Sequence, residues 1–209
     1  MTKFKGTGVA LVTPLNIDGE LDFKSLERLV EYQINNGTNY LVVQGTTGES
    51  VTLSESEKES VLEFIIKVND GRLPIVLGVG GNNTADVIKQ IKKFSHYSID
   101  GILSVSPYYN KPPQSGIYAH YEAIAQCTEL PIILYNVPGR TSSNISPETT
   151  LRLAKNFKNI IGIKEASGNL EQIMEIILNK KESFLVISGD DALTLPHLAV
   201  GGDGVISVV

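Results

Sequence analysis

Ile160-Ile161-Gly162-Ile163-Lys164-Glu165-Ala166-Ser167-Gly168 is a dry run that opens into a polar turn, and its reading decides the fold. A short continuous apolar stretch bounded by Ser-Gly reads as a strand buried on both faces. Strands of that kind belong to parallel sheets. The same figure recurs along the chain. Val9–Val12, Tyr40–Val43, Ile75–Val79, Gly101–Val105, Ile132–Tyr135, Phe184–Ile187 and Val205–Val209 bring the set to eight candidate strands.

Helical patterns lie between these runs. Leu26, Leu29, Val30 and Ile34 fall on one face. So do Val61, Leu62, Ile65 and Ile66, then Val87, Ile88, Ile91 and Phe94, then Ile173, Ile176 and Ile177. The start signals agree. Ser54-Glu55-Ser56-Glu57 spells a capping box, and Ser146-Pro147-Glu148 sets an N-cap serine before a proline at the first helical position. Asn35-Asn36-Gly37 ends the first helix.

Unbroken strand–helix alternation implies a parallel α/β sheet, open or closed. Eight strands in one series favour closure into a (β/α)8 TIM barrel. The open alternative, in its dinucleotide-binding form, wants a glycine fingerprint after the first strand. That region reads Val12-Thr13-Pro14-Leu15. Gly78-Val79-Gly80-Gly81 lacks the third glycine at the needed spacing and reads as a tight turn where backbone approaches something closely. The sequence stops inside its eighth apolar run, whereas such barrels typically reach about 250 residues. The expectation is a single barrel domain over residues 1–209, with seven helices, the helix over the last strand missing and an apolar seam left bare.

Composition excludes several functions. A net charge of -5 with no basic stripe argues against nucleic acid. Cys127 is the only cysteine, so no internal disulfide is possible. No stretch approaches a membrane span, and the N-terminus shows no cleavable leader pattern, which leaves cytoplasm as the default. His96, His120 and His197 lack metal-ligand spacing. Asp190-Asp191 reads as the N-cap of the following helix rather than as a metal site.

In a barrel, functional groups gather where strands end and loops begin. Lys164 sits at such an end. Burial disfavours a charged amine. A free lysine is only about one part in a thousand neutral near neutral pH, and a drop of about three units costs about 4 kcal/mol while making up to about half of it neutral and nucleophilic. A Schiff-base enzyme needs that setting; a lysine snorkelling at a strand end is the bland alternative. The other strand ends supply Thr13, Gly45-Thr46-Thr47-Gly48-Glu49-Ser50, Ser106-Pro107-Tyr108-Tyr109-Asn110, Tyr135-Asn136, Arg140 and Ser188-Gly189-Asp190-Asp191. An amine needs a carbonyl electrophile, and carboxylates need amides, hydroxyls and a guanidinium. The Gly45–Gly48 turn can act as an anion nest. Tyr135 and Tyr109 can pass protons through Thr46. Taken singly, each tyrosine is better read as core and Arg140 as surface; their convergence on one rim is the argument.

Gly45–Ser50, Pro107-Tyr108-Tyr109-Asn110-Lys111-Pro112, Tyr135-Asn136-Val137-Pro138-Gly139-Arg140-Thr141, Gly162–Ala166 and Gly204-Val205-Ile206-Ser207 closely resemble the dihydrodipicolinate synthase family of the pyruvate-dependent class I aldolases. The resemblance runs from about Gly6 to the last residue. It implies a lyase of lysine and diaminopimelate biosynthesis that condenses pyruvate with L-aspartate 4-semialdehyde, with no metal and no organic cofactor. It gives Lys164 the imine, Tyr135 the proton shuttle, and Thr46 and Tyr109 the rest of the relay, Tyr109 reaching across a dimer contact. It gives Thr47 the pyruvate carboxylate, Arg140 the semialdehyde carboxylate, and Gly189 and Ile206 the pyruvate pocket wall. Family members continue through a last barrel helix and a C-terminal helical region that helps build a homotetramer. A lysine-regulatory site is matched in part, by Ser50, Asn82 and Tyr108. Asp86 stands where glutamate is common, and Glu55 and Lys58 replace histidines of some members. Two rivals stay open: a sibling aldolase for sialic acid or 2-keto-3-deoxy sugar acids, and an inactive barrel that only binds ligand.

Overall fold

The computed structural model describes residues 3–208. Its element order is β1 (Gly6–Ala10), α1 (Phe23–Asn35), β2 (Tyr40–Val43), a 3-10 turn (Thr46–Gly48), α2 (Glu55–Asn69), β3 (Ile75–Gly78), α3 (Thr84–Phe94), β4 (Gly101–Val105), α4 (Gln114–Gln126), β5 (Ile132–Asn136), α5 (Pro138–Thr141), α6 (Pro147–Asn156), β6 (Ile160–Glu165), α7 (Leu170–Asn179), β7 (Leu185–Ser188), α8 (Thr194–Ala199) and β8 (Gly204–Ser207). Each strand pairs in parallel with the next, and β1 pairs with β8 from Gly6↔Gly204 to Val9↔Ser207. The sheet is therefore a closed (β/α)8 barrel. The eighth run was read through Val209, which lies outside the described residues.

Two apolar layers hold it together. The outer one lies between strands and helices and includes Leu41, Val43, Leu62, Ile65, Leu77, Ile91, Ile102, Ile132, Leu134, Ile163 and Ile176. The inner one fills the barrel with Phe4, Ala10, Tyr40, Val42, Val76, Leu103, Ile133, Tyr135, Leu185, Ile187 and Ile206. Alternation along the strands, interrupted in β6, sends successive side chains to opposite layers. Tyr40 crosses the barrel floor, edge-on to Phe4 at 5.6 Å between ring centroids. Gly8 makes room for it, since a Cβ there would collide with the Tyr40 ring.

The helix signals hold at the residue level. Ser54 accepts from the Glu57 amide and Glu57 accepts from the Ser54 amide, a complete capping box for α2. Ser146 caps α6 ahead of Pro147, and Gly37, at φ +88°, follows the end of α1 in the left-handed region. Three further caps carried no weight in the sequence reading: Asp22, Asn83 and Asn169 each accept a backbone N–H at the start of α1, α3 and α7. Asp190 differs from expectation. Its carboxylate accepts from the Ala192 and Leu193 amides, so it braces the turn before α8, whose N-cap position is Leu193. Val205 on β8 is buried, while Leu178, Leu195, Leu198 and Val208 are exposed apolar side chains on α7, α8 and the segment after β8.

Candidate active site

Lys164 points into the barrel because β6 carries an irregularity. Ile160 pairs with Ile132, but Gly162 pairs with Ile133, so Ile161 is an extra residue in β6. Ile160 and Ile163 both pack in the outer layer, and Ile161 packs against the inner one. Uninterrupted alternation from Ile160 would have sent Lys164 outward; the insertion reverses the parity. Gly162 permits the close approach of β7, where a Cβ would lie 2.8 Å from the Leu185 carbonyl oxygen.

Pairing then sets Lys164 opposite Tyr135 and Glu165 opposite Asn136. The Lys164 side chain is buried, the residue being 5% exposed, and its Nζ lies 4.5 Å from the centroid of the Tyr135 ring. Its pKa is lowered to about 8, chiefly by burial. The Asp191 carboxylate opposes that shift and the Arg140 charge adds to it. Burial also raises the Tyr135 phenol, against a hydrogen bond with Thr46 and the charge of Arg140. Gly189 borders the amine: a Cβ there would stand 2.8 Å from Lys164 Cε.

The threonine turn is held from below. Thr13 Oγ1 donates to the Gly48 carbonyl at 2.7 Å. Gln44 takes φ 60° and donates from Nε2 to the Lys58 carbonyl at 2.6 Å. Gly78 is glycine for the same reason, since a Cβ would collide with the Gln44 carbonyl; the close approach expected at Gly78–Gly81 is therefore to this turn. Thr46 is exposed at the rim and Thr47 half-buried beside it. Val137 leads into the single turn α5, which carries Arg140 back to the mouth.

A cavity of about 540 Å³ opens here, walled by Thr46, Tyr135, Arg140, Ser50, Tyr108 and Lys58 among others. Lys164 is not part of that wall, but its Nζ stands over the ring of Tyr135, which is. Ile206 lies in the inner layer with Tyr135 and Ile187. Asn82 donates to the Tyr108 carbonyl at 3.2 Å, and Asp86 accepts from Asn83 at 2.7 Å. Tyr109 stands apart. Its ring is 88% exposed at φ 71° and makes no hydrogen bond or ring contact among the described residues. The sequence reading passed over Gln44 and gave Gly78 only as part of a tight turn; it collected Asp191 at the rim but read it as part of a helix cap, and met Lys58 only where some family members carry histidine. Among the described residues no group of three His, Cys, Asp or Glu side chains could hold a metal. His120 is buried against Thr84 Oγ1 at 2.9 Å with its pKa pushed down to about 4, and His197 meets the Val186 carbonyl at 3.0 Å.

A depressed amine inside a (β/α)8 mouth, over a tyrosine ring and near a guanidinium, defines an enzyme of the lysine-dependent, class I aldolase type. The chain belongs to the dihydrodipicolinate synthetase family, whose family model matches residues 3–209. The 4-hydroxy-tetrahydrodipicolinate synthase of Flavobacterium psychrophilum is 57% identical over 209 residues, which is 100% of this chain and 71% of that protein. The Bacillus subtilis enzyme of the same name is 52% identical, over 98% of this chain and 71% of its own length. The crystal structure of dihydrodipicolinate synthase from Thermotoga maritima superposes with a TM-score of 0.96 at 46% identity, covering 99% of this chain and 70% of that one. The chain thus spans about 70% of the length of such relatives.

Proposed function

We propose that this protein is a 4-hydroxy-tetrahydrodipicolinate synthase, condensing pyruvate with L-aspartate 4-semialdehyde. The observation that carries the site assignment is the buried Lys164 amine, with a pKa of about 8, over the Tyr135 ring. The neutral amine attacks the keto carbon of pyruvate, and water leaves to give an imine. The positive imine nitrogen draws electrons, so a methyl proton is lost and an enamine forms. Its carbon attacks the aldehyde of the second substrate, whose oxygen takes a proton. The amino group of that substrate then attacks the imine carbon, closes the ring and expels Lys164.

Each residue has a part in this reading. Tyr135 carries protons to and from the leaving water and the aldehyde oxygen, with Thr46 as the next group in the relay. Thr47 and neighbouring amides hold the pyruvate carboxylate. Arg140, exposed beside the cavity, takes the semialdehyde carboxylate. Gly189 and Ile206 shape the floor. Tyr109 completes the relay from a second copy of the chain, so the active form is a homo-oligomer; its exposure and left-handed backbone are in keeping with a partner there. The lysine supplies the electrophilic nitrogen, so the reaction needs no cofactor. No helix of the described residues is long and apolar enough to cross a membrane, and cytoplasm is the compartment this chemistry implies.

Borohydride reduction with pyruvate, followed by mass spectrometry, tests the assignment. A reduced pyruvyl adduct on Lys164 is expected; its absence favours the inert, ligand-binding barrel. Product analysis with aspartate semialdehyde separates the synthase from a sugar-acid aldolase. Ser50, Asn82, Asp86 and Tyr108 are proposed as an amino-acid pocket for L-lysine. Isothermal titration that gives no heat with lysine removes that assignment.

A further inference from the structure

Behind the catalytic pair lies a second pair that the mechanism does not use. Glu165 and Asn136 follow Lys164 and Tyr135, sit in register with each other, and face the outer layer. Glu165 is 1% exposed. Asn136 Nδ2 reaches both of its oxygens at 3.1 Å, Gln172 Nε2 donates to Oε2 at 2.8 Å, and the Ser167 amide donates to Oε1 at 2.8 Å. The cluster extends outward. Asn136 Nδ2 also reaches Asn144 Oδ1 at 2.8 Å, Asn136 Oδ1 accepts from the Ile145 amide at 3.0 Å, and Asn144 Nδ2 donates to Gln172 Oε1 at 2.8 Å. No lysine or arginine pairs with the Glu165 carboxylate among the described residues.

Elsewhere the outward positions of these two strands are Ile132, Leu134, Ile160 and Ile163. A hydrophobe at position 165 would fill the space without the cost of a buried charge. A buried carboxylate persists only where donors serve its oxygens. What it adds is direction, because hydrogen bonds fix the slip and twist of strand ends that apolar packing tolerates. The backbone joins in: the Ala166 amide donates to the Asn136 carbonyl at 2.9 Å, and the Gly189 amide to the Glu165 carbonyl at 2.8 Å. β5, β6 and the end of β7 are thus tied at the level of Lys164.

We propose that Glu165 is a positioning residue, whose carboxylate, clamped by Asn136, Gln172 and the Ser167 amide, holds the ends of β5 and β6 so that Lys164 and Tyr135 keep their mutual geometry. This rests on the reading of Lys164 as the imine-forming amine. Glu165→Gln is the direct test. An amide keeps one acceptor oxygen and turns an NH2 group toward donors, so at least one contact of the clamp is lost. Turnover is expected to fall about 10- to 100-fold. The pH midpoint of borohydride trapping with pyruvate is expected to rise by about one unit as the amine leaves its dry slot. Gln172→Ala removes one donor to Glu165 together with the Gln172 contacts to Asn144, leaves both strands intact, and should move both readouts the same way by less. It carries the test if Glu165→Gln does not fold. A variant that melts at lower temperature but keeps the wild-type turnover and trapping midpoint overturns the proposal and leaves the cluster as packing alone. If wild type itself traps no pyruvate, the imine reading falls and takes this inference with it.

Discussion

Replacing Lys164 by methionine should make the protein more stable, and by an amount that depends on pH. The amine titrates near 8 in the folded chain against an ordinary value of 10.5. That difference corresponds to about 3 kcal/mol. The sign follows from proton counting. Between about pH 8 and 10.5 the unfolded chain binds a proton that the folded chain has released, so wild-type stability from this group rises with pH. Below pH 8 both states are charged and the full burial cost is present; above 10.5 neither is charged and the cost is gone. Lys164→Met keeps the length of the stem and removes the charge. Its gain over wild type should therefore be about 3 kcal/mol at pH 7 and shrink by about 1.4 kcal/mol per unit above pH 8. Urea unfolding of both proteins at pH 7, 8, 9 and 10 measures the difference, in which other titrating groups cancel. A gain that stays flat with pH, or a variant less stable than wild type at pH 7 and no better at pH 10, would refute the idea of a desolvated amine.

Three further outcomes are expected. Gly162→Ala sets a methyl 2.8 Å from the Leu185 carbonyl oxygen and 2.9 Å from its Cβ; overpacking of that kind costs about 1–3 kcal/mol, and both the urea midpoint and the pyruvate adduct yield should fall, whereas wild-type values for both would show that β6 can absorb the change. Tyr135→Phe keeps the ring under Lys164 and removes the hydroxyl, so turnover should drop about 10²- to 10⁴-fold, and a loss of less than about tenfold in steady-state assays would end its proton-transfer role. Arg140→Ala removes a charge-assisted contact of about 1.5–3 kcal/mol, which should raise KM for aspartate semialdehyde roughly 10- to 150-fold with little change for pyruvate; if only pyruvate use suffered, the carboxylate assignment would be wrong.

The barrel was legible because its strands are dry on both faces. Tyr40–Val43 and Gly101–Val105 match β2 and β4 at both ends. β1 begins three residues ahead of its apolar run, at Gly6, because Gly6 and Gly8 contribute backbone pairing and space for Asn39 and Tyr40 rather than apolar side chains. α4 carries no simple apolar stripe, since His120 is buried on it beside Tyr121 and Ile124. The membership of the mouth was legible too, because chain order fixes which loops share one end of a closed parallel barrel. Thr46, Tyr135, Lys164, Arg140 and Gly189 converge. Tyr109 does not meet them within one chain.

The direction of Lys164 was the part that pattern could not supply. Ile160, Ile161, Gly162 and Ile163 offer no hydrophobic contrast between faces, so the period that normally assigns sides is silent there. Only the observed pairing, in which Ile161 has no partner on β5, shows that the strand changes parity before Lys164. The glycine in this run is the local clue in retrospect, as it marks where β6 passes close to Leu185. The polar residue after the lysine is a second clue with the same origin. Once Lys164 faces inward, Glu165 must face the helices, where a carboxylate is tolerable only with a full set of donors. Asn136, Gln172 and the Ser167 amide are that set. The inward amine and the outward carboxylate are consequences of one inserted residue, and a change that removed the insertion would expose both groups to the wrong layer at once.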